Sequence, residues 1–96
     1  ADQATKVRGM FVHAKQVAEV VRRFPQIVKA RLVVTGEMAN DQMQLWIETV
    51  ETAPGFAQQV VDALREITKL RGEVQMVAPG SLPNDGKVIE DARSYQ

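Results

Sequence analysis

Two stretches with the periodicity of amphipathic helices are separated by stretches with the pattern of strands, and this order restricts the possible folds most strongly. From Ala14 to Phe24 apolar residues recur at the i, i+3, i+4, i+7 spacing of one helical face, and Pro25 ends that helix. Pro54 and Gly55 open a second helix. Its apolar stripe consists of Phe56, Val60, Ala63, Leu64 and Ile67. Each helix therefore has one face to bury.

Four other stretches are typical of strands. Residues 7–12 form a short apolar stretch, interrupted by Arg8 and Gly9, that predicts an early strand or a loop entering one. Residues 27–35 are rich in β-branched side chains. Residues 43–50 alternate apolar and polar side chains, which predicts a half-buried strand paired with the preceding one as a hairpin. Residues 74–77 predict the last strand.

The resulting order, β-α-β-β-α-β, is the split pattern of ferredoxin-like α+β sandwiches. We therefore expect an antiparallel sheet with both helices on one of its faces. From Pro79 onward turn-forming residues predict a loop, followed by a short polar tail. The expected boundaries are a domain at 7–78 and a C-terminal loop and tail at 79–96, which carries a Gly-Lys pair.

Composition excludes several classes of function. The 96 residues carry 12 basic and 12 acidic side chains, a single histidine and no cysteine. This balance argues against the general attraction that nucleic acids or anionic membranes require. Disulfides, cysteine-based zinc sites and histidine-rich metal sites are also excluded, and we expect no metal site. With no apolar run near the roughly 18 residues of a membrane span and no signal-peptide pattern, we expect a cytoplasmic protein.

Two loops contain residues that could contribute to chemistry. Lys87 follows Gly86 on a polar, flexible segment, where its charge could reach a phosphate or a developing negative charge. The alternative is a solvated lysine, and the phosphate-binding pattern G-x-x-x-x-G-K-[ST] is absent. Gly9 could let the backbone pass close to a narrow ligand while Arg8 offers a forked donor to a phosphate. The alternative there is a bulge at a strand entry.

Other polar and aromatic residues favour structural roles. His13 lies at the predicted start of the first helix, and no partner for a general base is evident from the sequence. Trp46 and Phe11 could form a stacking platform for RNA. However, aromatic residues make up only 5% of the chain and no basic cluster lies between these two, so core or interface packing is favoured.

Taken in order, several segments resemble the C-terminal subdomain of the adenylate-forming acyl-CoA ligases, closest to the phenylacetate-CoA ligase branch. The segment Lys6 to Val12 (KVRGMFV), followed by residues 16–21 (QVAEVV), is similar to the family's R-G-x-x-V strand and the helix after it. Residues 23–25 (RFP) with 32–35 (LVVT) also look like that branch. Residues 79–87 (PGSLPNDGK) resemble its closing P-G-x-L-P…G-K segment.

The resemblance implies a mobile lid of an enzyme that makes acyl-CoA in two steps, through an acyl-adenylate, using ATP, Mg²⁺ and coenzyme A. Lys87 would serve adenylation, and Gly9 with Arg8 would line the coenzyme A channel during thioester formation. Asp2 falls where the family keeps its hinge acid, so residues 1–6 would be a hinge or linker remnant. The expected partner is the N-terminal adenylating domain of the same, longer polypeptide.

The resemblance also bears on the substrate. The branch suggests an aryl acid such as phenylacetate, although the selecting pocket would lie outside this chain. We expect the 96-residue fragment to be inactive alone. The alternative hypothesis is a free-standing ferredoxin-like module that binds a small molecule or dimerises through the sheet face that carries Trp46.

Overall fold

The first predicted strand folds back on itself as a hairpin in the computed structural model, which describes residues 3–36 and 40–93. Strand β1 (Ala4–Val7) pairs in antiparallel fashion with β2 (Met10–His13), so that Val7 is opposite Met10. Arg8 and Gly9 form the turn with φ angles of 47° and 84°. Two successive positive φ angles reverse a chain within two residues.

Both helices form where their apolar periodicity predicts them. Helix α1 (Ala14–Arg23) begins after His13, whose backbone N–H donates to Oε1 of Gln16 at 2.9 Å. It ends before Pro25, as predicted. Helix α2 (Phe56–Thr68) follows Gly55, and its C-terminal cap, Lys69, adopts the left-handed conformation with φ 65°. His13 therefore has a structural place at the start of α1.

A four-stranded mixed sheet supports the helices. Its strands, in spatial order, are β5 (Glu73–Val77), β4 (Gln42–Glu48), β3 (Lys29–Thr35) and β6 (Ile89–Asp91). Strands β3 and β4 form the predicted antiparallel hairpin, whereas β5 lies parallel to β4 and β6 parallel to β3.

The α+β class is confirmed, and the architecture is consistent with a ferredoxin-like domain. The prediction of an antiparallel sheet was wrong, because α2 carries the chain back to the edge of β4 in the same direction. The first strand also stays outside this sheet, since it turns back at Arg8 and Gly9. The free edge of β3 is covered by β6, which comes from the segment predicted as loop and tail.

The core lies between the helices and one face of the sheet. Alternate residues of β3 and β4 point into it, for example Leu32 opposite Leu45, and both are fully buried. Val17 of α1 and Leu64 of α2 belong to the same buried cluster, so both helices lie on this face. The other face carries Trp46 and its neighbours, and part of the C-terminal loop lies against it.

Candidate functional site

Gly9 lies at the tip of the hairpin, with open space in front of it. Apart from its two chain neighbours, no atom of the described residues would lie within 4 Å of a Cβ atom at this position. Its φ of 84° is in the left-handed region, which glycine adopts at little cost. Another group can therefore approach the backbone of this turn closely.

Arg8 is held by the two loops beneath the hairpin. Its backbone N–H donates to Oδ2 of Asp41 at 2.9 Å, and its Nη1 donates to the Asp41 carbonyl oxygen at 3.1 Å. Its Nη2 donates to the carbonyl oxygen of Arg71. The hydrogen bond from the Arg8 N–H has the largest effect in lowering the pKa of the Asp41 carboxyl, and the guanidinium of Arg93 lowers it further. The observed contacts of Arg8 thus fix the position of the turn.

Lys87 lies on an exposed loop, residues 84–88, that we call the lysine loop. Its backbone N–H donates to Oδ1 of Asp85 at 3.0 Å, and its carbonyl oxygen accepts from Nη1 of Arg31 at 3.2 Å. Within the part of the chain that the structure describes, the Lys87 ammonium has no hydrogen-bond partner. The backbone is fixed, and the charged end of the side chain is left to reach another molecule.

Arg31 is the buried cation that holds the lysine loop to the sheet. It belongs to β3, and only 5% of its surface is exposed. Nη1 lies 2.8 Å from Asp85 and Nη2 lies 2.7 Å from Glu90. The hydrogen bond to Asp85 has the larger effect in raising the pKa of Arg31, and the hydrogen bond to Glu90 adds to it. Both contacts offset the cost of removing the guanidinium charge from water.

A second buried charge fixes the first part of the C-terminal loop. Glu48, at the end of β4, is 3% exposed and accepts a hydrogen bond from the Leu82 N–H at 2.9 Å. The N–H groups of Gly80 and Leu82 lower the pKa of the Glu48 carboxyl. Lys29 Nζ donates to the Pro83 carbonyl oxygen at 2.7 Å. The segment from Gly80 to the lysine loop is therefore attached to the sheet through charged side chains.

These ion pairs predict an acid-sensitive lysine loop. Hydrogen bonding to Arg31 lowers the pKa of Asp85 from 3.8 to about 2. Because the folded-state pKa lies below the unfolded-state value, the stabilisation is present above about pH 4 and is lost as the pH falls toward 2. We expect the urea midpoint, followed by fluorescence of the single Trp46 beside Arg31, to fall across this range. Asp85→Asn should remove part of that dependence.

Asp62→Asn on α2 is the matched control, because Asp62 accepts only from the neutral Gln58 amide within the described ranges. This variant should keep the wild-type pH dependence. An equal fall for wild type and Asp85→Asn would contradict the assigned role of the Arg31–Asp85 pair.

The structure places the hairpin turn and the lysine loop at opposite ends of β1. Gln3, just before β1, bonds to the lysine loop, whereas Gly9 follows the other end. Six residues of extended chain span about 20 Å, so Gly9 lies roughly this far from the point at which Gln3 holds the lysine loop. Arg93, after β6, donates to the Lys6 carbonyl oxygen at 2.6 Å and to Asp41 at 3.1 Å, which attaches the chain after β6 to β1 and to the loop that holds Arg8.

A separate depression lies beside each of these features. A groove of about 710 Å³ borders Arg8, Arg65 and Arg71, together with Gly72 between β5 and α2. A smaller depression of about 370 Å³ borders Lys87, and Gln3 and Asp91 also line it. The candidate residues Arg8 and Lys87 thus border two distinct depressions.

Asp2, the predicted hinge residue, lies outside the described residues. Within residues 3–36 and 40–93 no three carboxylate or imidazole side chains lie close enough to hold a metal ion. The described residues therefore offer no three-ligand protein site for Mg²⁺, an ion that usually binds through one or two carboxylates together with substrate phosphates. No helix in the same ranges is long and apolar enough to cross a membrane.

The sequence interpretation missed the residues that hold the lysine loop. Arg31 carried a signal, since a charged residue inside an apolar strand pattern predicts either an exposed face or a buried ion pair. Gln3 and Glu48 carried no such signal, because their partners are backbone groups of a distant loop. Trp46 lies on the sheet and Phe11 on the separate hairpin, so the two do not form one platform.

No protein-family model matches the sequence, and no curated protein sequence matches it. A solved domain of phenylacetate-coenzyme A ligase from Bacteroides vulgatus ATCC 8482 is similar over 97% of this chain and 95% of that domain, with a TM-score of 0.85 and 17% identity. The chain has the fold of this CoA-ligase domain. The resemblance indicated by the sequence is therefore confirmed at the level of the fold.

The same CoA-ligase domain fold occurs within a longer enzyme. A structure of 2-hydroxyisobutyryl-CoA ligase with 2-HIB-AMP and CoA in the thioesterification state matches 97% of this chain, with a TM-score of 0.82 and 21% identity. A postadenylation state of that ligase with R3-HIB-AMP matches 92% of this chain, with a TM-score of 0.75 and 20% identity. The chain spans only 22% and 21% of those ligase chains.

Proposed function

We propose that this chain is the C-terminal lid domain of an AMP-forming acyl-CoA ligase. The observation that carries the proposal is the fold shared, over 97% of the chain, with a ligase crystallised with an acyl-adenylate and CoA. The loops that resemble the family's motifs lie at opposite ends of β1, which suits a domain that presents two surfaces in turn. The N-terminal adenylating domain of the same polypeptide would hold most of the active site.

The proposed reaction has two steps. A carboxylate oxygen of the acid attacks the α-phosphorus of ATP, and the bond to pyrophosphate breaks to leave an acyl-adenylate. The thiol sulfur of coenzyme A then attacks the acyl carbon and loses its proton. AMP departs with the electron pair of the carbon–oxygen bond, and the thioester remains.

Lys87 would act in the first step. The negative charge that develops on pyrophosphate and the α-phosphate requires a cation that is already in place. The backbone of Lys87 is fixed, and its ammonium has no hydrogen-bond partner among the described residues, which suits this requirement. Lysine also suits the task because its compact charge lies at the end of a long stem.

The hairpin turn would act in the second step. The open space before Gly9 would let the pantetheine arm of coenzyme A pass close to the backbone. Arg8 would position the turn through its bonds to Asp41 and Arg71. Asp2 would belong to the hinge about which the domain rotates between the steps. We propose phenylacetate or another aryl acid as substrate.

The natural polypeptide tests this proposal. Antibodies raised against these 96 residues should detect a chain several times longer. That polypeptide should catalyse ATP–pyrophosphate exchange that depends on an aryl acid, whereas the 96-residue chain alone should not. Exchange with other acids only would reject the aryl substrate. A short natural chain without exchange, which binds a metabolite or self-associates, would favour the alternative, a free-standing binding or dimerisation module.

A further inference from the structure

We propose that Gln3 is a positioning residue that fixes the lysine loop to the N-terminal end of β1, and thereby sets where the Lys87 ammonium lies during adenylation. This inference rests on the proposed function, in which Lys87 acts in the first step. Gln3 does not touch the reacting atoms in this scheme, since it acts through the loop backbone.

The carboxamide of Gln3 bonds to the loop on both sides of Lys87. Nε2 donates to the carbonyl oxygen of Gly86 at 2.8 Å. Oε1 accepts from the N–H of Val88 at 2.8 Å and from that of Ile89 at 3.1 Å. One side chain thus satisfies three backbone groups that flank the lysine, and it uses both the donor and the acceptor of an amide.

Gln3 is itself firmly placed. Its carbonyl oxygen accepts from the N–H of Ala14, the first residue of α1, at 2.9 Å. Arg31 and Asp85 hold the Lys87 backbone from the side of the sheet, so Gln3 is the attachment on the side of β1. Gln3 also directly follows Asp2, the proposed hinge residue. Rotation at the hinge would therefore carry the lysine loop along with β1.

The chemistry of the contact explains why an amide is required. Glutamate could still accept from Val88 and Ile89, but its carboxylate would face the Gly86 carbonyl oxygen without a donor. Methionine has a similar length and leaves all three backbone groups without their partner. Gln3→Met is therefore the sharper variant, and Gln3→Glu should have an intermediate effect.

The experiment compares both half-reactions of the complete ligase. Gln3→Met should slow acid-dependent ATP–pyrophosphate exchange about tenfold, because a displaced catalytic group loses much of its effect. Thioester formation from preformed acyl-adenylate should stay within about twofold of wild type. In a Lys87→Ala background Gln3→Met should cause no further loss, since the two residues act as one unit. Exchange of the Val88 and Ile89 amide hydrogens should accelerate.

Gln59→Met is the matched control, because Gln59 is exposed on α2 and its side chain has no hydrogen-bond partner in the described ranges. It should leave both half-reactions unchanged. Equal losses in both half-reactions for Gln3→Met, or losses additive with Lys87→Ala, would overturn the positioning role. Unchanged hydrogen exchange at the Val88 and Ile89 amides would also overturn it. If the variant is partly unfolded, comparing the exchange rates of these two amides with those of core amides still gives the answer.

The same variants separate this inference from the proposed function. A large adenylation loss in Lys87→Ala with none in Gln3→Met would reject the Gln3 attachment and leave the proposed function intact. Normal adenylation in Lys87→Ala would reject the adenylation role of Lys87, and the catalytic part of the Gln3 proposal with it.

Discussion

In the proposed complete ligase, Lys87→Ala is expected to slow acid-dependent ATP–pyrophosphate exchange by about 10²- to 10³-fold, the usual loss when a group that stabilises transition-state charge is removed. Thioester formation from preformed acyl-adenylate should remain within about threefold of wild type, because the lysine loop would then face away from the reacting atoms. Measuring the two half-reactions separately tests both statements.

Two controls make the Lys87 result specific. Lys15→Ala removes another exposed lysine, at the start of α1, and should leave both half-reactions unchanged. The urea midpoint of Lys87→Ala should match wild type, because no partner of the ammonium is present in the described ranges. Equal loss in both half-reactions would reject an adenylation role for Lys87.

Gly9→Leu should slow thioester formation much more than adenylation, the reverse of the result expected for Lys87→Ala. A leucine side chain would occupy the open space before the hairpin turn, where the pantetheine arm of coenzyme A is proposed to pass. We expect thioester formation from preformed adenylate to fall by on the order of 10²-fold, since small displacements of a bound reactant have effects of this size. Adenylation should change little.

Because Gly9 has a φ of 84°, any residue with a Cβ atom strains the backbone there. Separate controls distinguish this strain from the bulk of the leucine side chain. Gly9→Ala introduces the same strain with little bulk, so it should retain most thioester formation. Gly55→Leu places a leucine at a comparable φ of 85° at the start of α2, where the described residues beyond its chain neighbours likewise have no atom within 4 Å of its Cβ. Normal thioester formation in Gly9→Leu would remove Gly9 from the channel.

Local patterns predicted the helices and the central hairpin correctly. The apolar stripe that begins at Ala14 and the helix break at Pro25 both depend on residues that are close together in the chain. The local sequence is therefore enough to define α1. The same holds for α2 after Gly55 and for the alternation that pairs β4 with β3. Each of these elements buries one apolar face, and the spacing of apolar residues in the sequence identifies that face directly.

The hairpin turn and β6 were not predicted, for different reasons. Arg8 and Gly9 do not form one of the pairs that favour a two-residue turn, such as Asn-Gly, and their positive φ angles are held by hydrogen bonds to Asp41 and Arg71. Strand β6 has only three residues, Ile89–Asp91, too few for a recognisable alternation. It forms because β3 offers an unpaired edge.

The sequence by itself determined the α+β class, both helices, the β3–β4 hairpin and, through its resemblance to the ligases, the two loops that contain Gly9 and Lys87. Only the tertiary structure decided that these loops lie at opposite ends of β1 and that the lysine loop is held by Arg31 and Gln3. The physical reason is that such contacts join residues far apart in the chain, often through backbone groups that every residue shares. Their partners become identifiable only once the sheet has brought them together.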